Sequence, residues 1–214
     1  MTRPLGTRNV QFEDRRQALL RKAGERLALQ GGDAPSFREL ALACGVSVAT
    51  LRHYFGNRET LIKELFALHL EVGRRHLKNA ERQPEEHESI ETSLRDVLER
   101  IARGWTSGFL GSLHRIGLSE GLRHPQTALD YLVDVLEPTL QALERRLQAS
   151  IKHDLIIECD TRHAALALVS PLLLALLHQH DLGGTRCRPL SVPSLIEEQV
   201  RMFSRAYRKD VAGG

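Results

Sequence analysis

Apolar residues return every three to four positions along nearly the whole chain, and no segment sustains an alternation of period two, so the pattern predicts an all-α fold. A first helix is expected over residues 14–30, with Leu20, Ala23 and Leu27 on one face and Gly31-Gly32 as its stop. Ser36 is placed to cap a short helix ending near Cys44, with Glu39 three residues on completing a capping box. Gly45 breaks that helix, and Ser47 caps another that runs through His53. Asn57 opens a long helix on which Leu61, Leu65, Leu68 and Val72 form one stripe. Residues 82–89, polar and containing Pro84, read as a loop and a candidate boundary. Residues 89–105 are helical, with Leu94, Leu98 and Ile101 facing inward, whereas five glycines between Gly104 and Gly121 predict short helical pieces. Pro125 opens a helix carrying Leu129, Leu132, Leu136, Leu140, Leu143 and Leu147, which Pro138 is expected to kink. Asp160 caps a helix over 161–180 that Gly183-Gly184 ends, and Ser194 with Glu197 reads as a capping box for a last helix to about Lys209. The total is roughly nine helices.

Composition narrows what such a bundle does. The 214 residues, 42% apolar and 27% charged, suit a globular chain with one domain or one large and one small. The longest apolar run, 164–177, falls short of the roughly 20 residues that a bilayer span requires and predicts a buried helix. The first ten residues lack the apolar core of a secretory signal. Cys44, Cys159 and Cys187 are odd in number and widely spaced, which argues against a disulfide framework or a CxxC zinc site and fits a reducing cytoplasm. No nucleophile elbow, P-loop, HExxH or GxGxxG spacing occurs, and His178 and His180 point about 200° apart on a helix. No enzyme activity, metal or cofactor is therefore expected. Charge is uneven: residues 1–58 hold ten Lys/Arg against five Asp/Glu, a balance of +5, while the remainder carries −2. A basic head on a near-neutral body is suited to meeting a polyanion.

The chemistry concentrates between Ser36 and Phe55, SFRELALACGVSVATLRHYF. Two helices crossing steeply through a three-residue turn need a small residue where they touch, a glycine in the turn and apolar residues inside. Ala41, Gly45 and the set Leu40, Cys44, Val46 and Leu51 meet those needs. The same stretch and its neighbour carry Arg38, Thr50, Arg52, His53, Tyr54 and Arg58, which suit base edges and phosphates. The segment reads as a helix-turn-helix whose second helix enters the major groove.

Leu40-Ala41, Gly45-Val46-Ser47, Leu51, Tyr54-Phe55, Arg58 and Leu61 resemble the N-terminal domain of the TetR family of transcriptional regulators. The specific likeness spans residues 15–66. It implies a DNA-binding head over 1–56, a helical ligand-binding body over 57–214 joined to it by helix 57–82, and a homodimer paired through residues 161–180 and 194–209. Carried over by position, Ser36 resembles the hydroxyl that meets a phosphate, and Ser47, Val48, Ala49, Thr50 and His53 resemble the base-reading face. Tyr54 resembles the aromatic that reaches the DNA backbone, although packing is an equal reading of Tyr54 and the stronger one for Phe55. Arg58 resembles a phosphate contact in place of the usual Lys. Arg52 departs from the family's Tyr and can serve a phosphate or a guanine edge. Arg3 and Arg8 can form a minor-groove arm or a disordered end, and Cys44 reads as a small buried apolar residue.

In the body, the glycines between 104 and 121 alternate with Trp105, Phe109, Leu110, Leu113 and Ile116, near the polar His114, Arg115, Glu120 and Tyr131. Core packing is one reading. The other is a pocket for a small, largely apolar effector, lined by Trp105, Phe109, Leu113, His114 and Tyr131. The apolar run over 164–177 leaves no polar face and must be covered, which a second copy of the chain can do. Together these readings describe a cytoplasmic homodimeric repressor that binds a palindromic operator in double-stranded DNA and is released by a small ligand. A helical module using the same head for protein contacts is the alternative.

Overall fold

In the computed structural model, residues 5–29, 34–80, 89–107 and 109–209 are described, with the backbone alone for 5–9, 72–80 and 107. They form α1 (Leu5–Ala28), α2 (Phe37–Ala43), α3 (Val48–Phe55), α4 (Arg58–Ala80), α5 (Ile90–Ser107), α6 (Leu110–Gly121) and α7 (Pro125–Tyr131). A π-helical turn, Leu132–Leu136, joins α7 to α8 (Glu137–Lys152); α9 (Thr161–Leu176) runs into a second π-turn, Leu177–Asp181, before α10 (Gly184–Cys187) and α11 (Val192–Tyr207). Extended pairing among the described residues is limited to one isolated antiparallel bridge, Ile156 with Arg208. Eleven α-segments replace the nine expected, because the first π-turn divides one rod and α10 adds a single turn.

The caps explain most boundaries. Ser36, Ser47 and Asp160 each accept a backbone N–H two or three residues into the helix that follows. Asn57 Oδ1 accepts from the Thr60 N–H at 2.8 Å, fixing the start of α4. At the other end of the long apolar rod, Gly183 takes φ +77°. Two expectations are corrected. α1 begins at Leu5, so Arg8 lies on a helix; its first turns are polar, and the apolar spacing that betrays a helix starts only near Leu19. Arg3, Gly31-Gly32 and residues 82–88 lie outside the described residues. α11 starts at Val192 with Ser191 as its cap, the Ser194 N–H donating to Ser191 Oγ at 3.3 Å. Pro193 fits the first turn, where an N–H has no acceptor, and lets the helix begin earlier than a Ser194 cap would.

Of the glycines expected to fragment residues 104–121, Gly104 sits within α5 and Gly111, Gly117 and Gly121 sit within α6. A Cβ on Gly111 would lie 2.9 Å from the Trp105 indole, and one on Gly117 would overlap the Tyr131 ring. The absence of a side chain lets each aromatic ring lie against helical backbone, so α6 is one uninterrupted helix.

The leucine stripe predicted through residues 129–147 is also corrected: Leu129 and Leu132 are exposed, while Thr127, Tyr131 and Val135 are buried. That buried set steps by four, then by five to Leu140, and continues through Leu143 and Leu147. The π-turn supplies the extra residue, rotating the inward face by about 100° immediately before Pro138.

Two compact units result: Met1–Glu71 with Ser112–Val135, and Val72–Gly111 with Leu136–Gly214. In the second, Leu94 and Leu98 of α5, Leu143 and Leu147 of α8, Leu168 and Leu172 of α9, and Val200 and Phe203 of α11 share one core. α9 with its π-turn spans 21 residues at a mean hydropathy of 1.3, enough by length and composition to cross a membrane. Its Ala164, Ala165, Leu168, Val169, Leu172 and Leu176 are instead buried in that core. Its opposite face leaves Leu166 47% and Leu174 65% exposed, together with Ala167, Ser170 and Pro171.

Candidate nucleic-acid interface

The interface is built on how α2 ends and α3 begins. The Gly45 N–H donates to the Leu42 carbonyl at 2.9 Å and the Val46 N–H to the Ala41 carbonyl at 3.0 Å, with Gly45 at φ +70°. This double bond closes α2 through a left-handed residue, a conformation that costs a side-chain-bearing residue energy and glycine almost none. It turns the chain so that Leu40, Ala41, Cys44, Leu51 and Phe55 are buried, with Val46 half-buried. Cys44 donates its thiol to the Leu19 carbonyl at 3.4 Å, tying α2 to α1, and burial pushes its pKa up, which makes it an unreactive core residue.

At the start of α2 the Ser36 N–H donates to Glu39 Oε2 at 2.7 Å while the Glu39 N–H donates to Ser36 Oγ at 3.3 Å. The hydrogen bonds from Ser36 hold the Glu39 carboxyl below its usual range. This reciprocal box leaves Ser36 exposed at the helix mouth, next to the exposed Arg38. On α3, Ser47, Ala49, Arg52 and His53 are exposed, and Val48, Thr50 and Tyr54 are half-buried. Ser47 Oγ accepts the Thr50 N–H at 3.0 Å and lies 2.9 Å from its hydroxyl, so these two residues are fixed against each other. The outward face carries no carboxylate, because no Asp or Glu lies between Glu39 and Glu59.

Sequence patterning missed how α1 buttresses this face. Phe12 stacks on Tyr54 with centroids 4.7 Å apart and meets His53 edge-on at 5.9 Å. Arg16 lies over the Phe55 ring at 5.5 Å and pairs with Glu64 of α4 at 2.5 Å. An aromatic at position 12, outside the predicted helix, gave no periodic signal.

Arg58, expected at a phosphate, has partners within the protein. Its Nε donates to the Pro35 carbonyl at 2.9 Å, and its Nη1 and Nη2 donate to Glu120 of α6 at 2.5 and 2.8 Å. The hydrogen bonds from Arg58 draw the Glu120 pKa down. Arg115, expected beside an effector, instead donates to the Ala28 carbonyl at 2.7 Å and so satisfies the end of α1.

The residues expected to line an effector pocket fall in both units. His114, Leu113 and Tyr131 are buried in the first, where His114 Nδ1 lies 2.6 Å from the Tyr131 hydroxyl and Tyr131 packs 6.1 Å from the Phe66 ring. Burial, then the nearby His69 charge, pushes the His114 pKa down to about 4, and burial pushes Tyr131 up to about 12. Trp105 and Phe109 belong to the second unit, where the indole N–H donates to Asp181 at 3.2 Å. In that unit an apolar cleft of about 540 Å³ is lined by Ala102, Leu176, Leu190, Val192 and Ile196 and contains none of the five expected residues. Among the described residues no group of three His, Cys, Asp or Glu could hold a metal.

A small basic head that presents a carboxylate-free helix from a helix-turn-helix defines a class, the DNA-binding regulators. The particular family follows from comparison. Residues 19–65 match the bacterial regulatory proteins of the tetR family, and residues 92–209, more than half of the chain, match the C-terminal domain of AefR-like transcriptional repressors. The chain belongs to the TetR family, whose members are DNA-binding regulators and not enzymes.

Solved structures share the fold. A Mesorhizobium loti protein assigned to the TetR regulators is 19% identical with a TM-score of 0.71, covering 92% of this chain and 98% of its own. The flavonoid-responsive regulator FrrA is 23% identical at 0.65, covering 93% and 100%. The fatty acid degradation regulator FadR of Bacillus halodurans is 16% identical at 0.61, covering the whole of both chains. No curated protein matches the chain in sequence.

Proposed function

We propose that this protein is a cytoplasmic, homodimeric repressor that binds a palindromic operator and is released by a small apolar or amphipathic ligand. The observation that carries the reading is the outward face of α3, where Ser47, Ala49, Arg52 and His53 stand exposed without an acidic neighbour. Ser47, Val48, Ala49, Thr50 and His53 are assigned to base edges, and Ser36, Arg38, Tyr54 and Arg58 to phosphates. Arg52 is assigned to either a phosphate or a guanine edge. Residues 1–56 act as the head and 57–214 as the body.

Two exposed stripes support dimerisation. On α9 they are Leu166, Ala167, Ser170, Pro171 and Leu174; on α11, Met202 at 61% exposure and Ala206, flanked by half-buried Leu195 and Gln199. Joined about a two-fold axis, such stripes bury apolar surface that a single chain leaves in water and bring two heads to two half-sites. The ligand reading takes the buried His114–Tyr131 pair beside Leu113, all in the first unit, as its polar handles. It also draws support from two similar folds, one named for a flavonoid response and one for fatty acid degradation.

The test is selection of binding sites from random duplex DNA, followed by footprinting. An inverted repeat protected on one DNA face is expected, with affinity falling steeply as salt rises. Recovery of no palindromic sequence would overturn the reading.

A further inference from the structure

The Arg58–Glu120 pair lies where three elements of the first unit meet. Arg58 is the first residue of α4 and follows the end of α3 by only Gly56 and Asn57. Its Nε is pinned to the Pro35 carbonyl, one residue before the exposed cap of α2, so the guanidinium sits beside Ser36 and Asn57, both exposed. The Arg58 side chain remains 21% exposed, whereas Glu120 reaches it from α6 with its own side chain only 5% exposed. The carboxylate grips both terminal nitrogens at 2.5 and 2.8 Å, the planar two-point geometry with which guanidinium also binds a phosphodiester. A cation at the edge of a DNA-reading face is therefore already occupied by an internal anion of the same shape as its external one.

We propose that Glu120 is a built-in phosphate surrogate: it competes with a DNA backbone phosphate for Arg58 and so sets operator affinity below what the head would otherwise reach. The proposal rests on the operator-binding reading above. A change in the Arg58 side-chain torsions, which carry the guanidinium as one rigid plane, exchanges one partner for the other and releases the Pro35 bond without moving α4. While Glu120 holds Arg58 that contact is withheld from bound DNA; once the carboxylate charge is removed, Arg58 adds one phosphate contact.

The opposite sign distinguishes this from a plain structural clamp, in which loss of Glu120 would loosen the head and weaken binding. Glu120→Gln keeps the volume and removes the charge. Operator affinity is measured against salt between about 50 and 200 mM for the wild type, E120Q, R58A and the double variant, with helical content and Tm recorded for each. In E120Q, binding tightens several-fold at low salt and the slope of log K against log salt steepens by about 0.9, one phosphate contact. In the double variant both gains vanish and R58A behaviour is recovered. Glu120→Asp, which keeps the charge but shortens its reach, gives a smaller gain of the same sign and serves if E120Q folds poorly. E120Q binding that is unchanged or weaker at an unsteepened slope, or a gain that survives removal of Arg58, overturns the proposal alone. A wild type that retains no duplex DNA refutes the operator-binding reading, and this proposal falls with it.

Discussion

Acidification is expected to destabilise the unit containing α6 through one side chain. His114 is buried, its Nδ1 lies 2.6 Å from the Tyr131 hydroxyl, and its pKa falls from 6.5 to about 4 because burial penalises the imidazolium. At pH 7 the imidazole is neutral in both folded and unfolded chains, so it contributes no pH-dependent term. Below 6.5 the unfolded chain takes up a proton that the folded chain refuses until about pH 4, and stability is lost as pH falls through that window. The loss is roughly 2 kcal/mol by pH 5 and about 3 kcal/mol in the acid limit, a large share of the 5–15 kcal/mol typical of a folded domain. Glu64 and Asp134, whose pKa values burial raises, act in the opposite direction, so the wild-type curve alone mixes the contributions. His114→Gln separates them, since glutamine can still pair with the Tyr131 hydroxyl but does not titrate. Denaturant unfolding at a series of pH values should show H114Q losing less stability than wild type between pH 6.5 and 4.5, by about 2 kcal/mol at pH 5. Parallel profiles for the two proteins would refute the reasoning, as would an imidazole resonance titrating near its ordinary pKa.

Three further outcomes are expected. Gly117→Ala places a methyl group inside the Tyr131 ring and should cost about 1–3 kcal/mol, read by thermal unfolding; a neutral result would show that α6 and Tyr131 can separate freely. Ser36→Ala removes the side-chain half of the capping box and should cost about 1 kcal/mol while weakening DNA binding, read by unfolding and by gel shift. Leu166→Glu combined with Leu174→Glu should convert the dimer to monomer in sedimentation with the helical content unchanged, and with it lose operator affinity.

The head was largely legible because its requirements are local. A capping box spans four residues, a left-handed turn needs one glycine, and Leu40, Ala41, Cys44 and Leu51 are set by helical spacing, so Ser36, Gly45 and Ser47 could be placed before any coordinates. What escaped depends on residues distant in sequence. Phe12 under Tyr54 and Arg115 at the end of α1 are pairings across 42 and 87 positions, and neither leaves a periodic trace. The register slip at the π-turn was invisible for a different reason. Leu129, Leu132, Leu136 and Leu140 keep a regular spacing in sequence, and only the extra residue per turn decides that the inward face passes through Thr127, Tyr131 and Val135 instead.

The glycines between residues 104 and 121 show how one residue type carries two opposite signals. Read as a string, Gly104, Gly108, Gly111, Gly117 and Gly121 weaken helix propensity by roughly 1 kcal/mol each relative to alanine, and a fragmented segment is the sound expectation. α6 is nevertheless continuous from Leu110 to Gly121, so packing more than offsets the lost propensity. The offset is visible in what the missing side chains admit: the Trp105 indole against Gly111 and the Tyr131 ring against Gly117. Aromatic rings bury 150–250 Å² each, worth a few kcal/mol, which exceeds the propensity cost of the glycine beneath them. The consequence reaches the candidate site. A ring held against helical backbone fixes the rotation of that helix, and the rotation of α6 decides that His114 faces Tyr131 while Glu120, six residues later, faces Arg58 at the edge of the proposed interface.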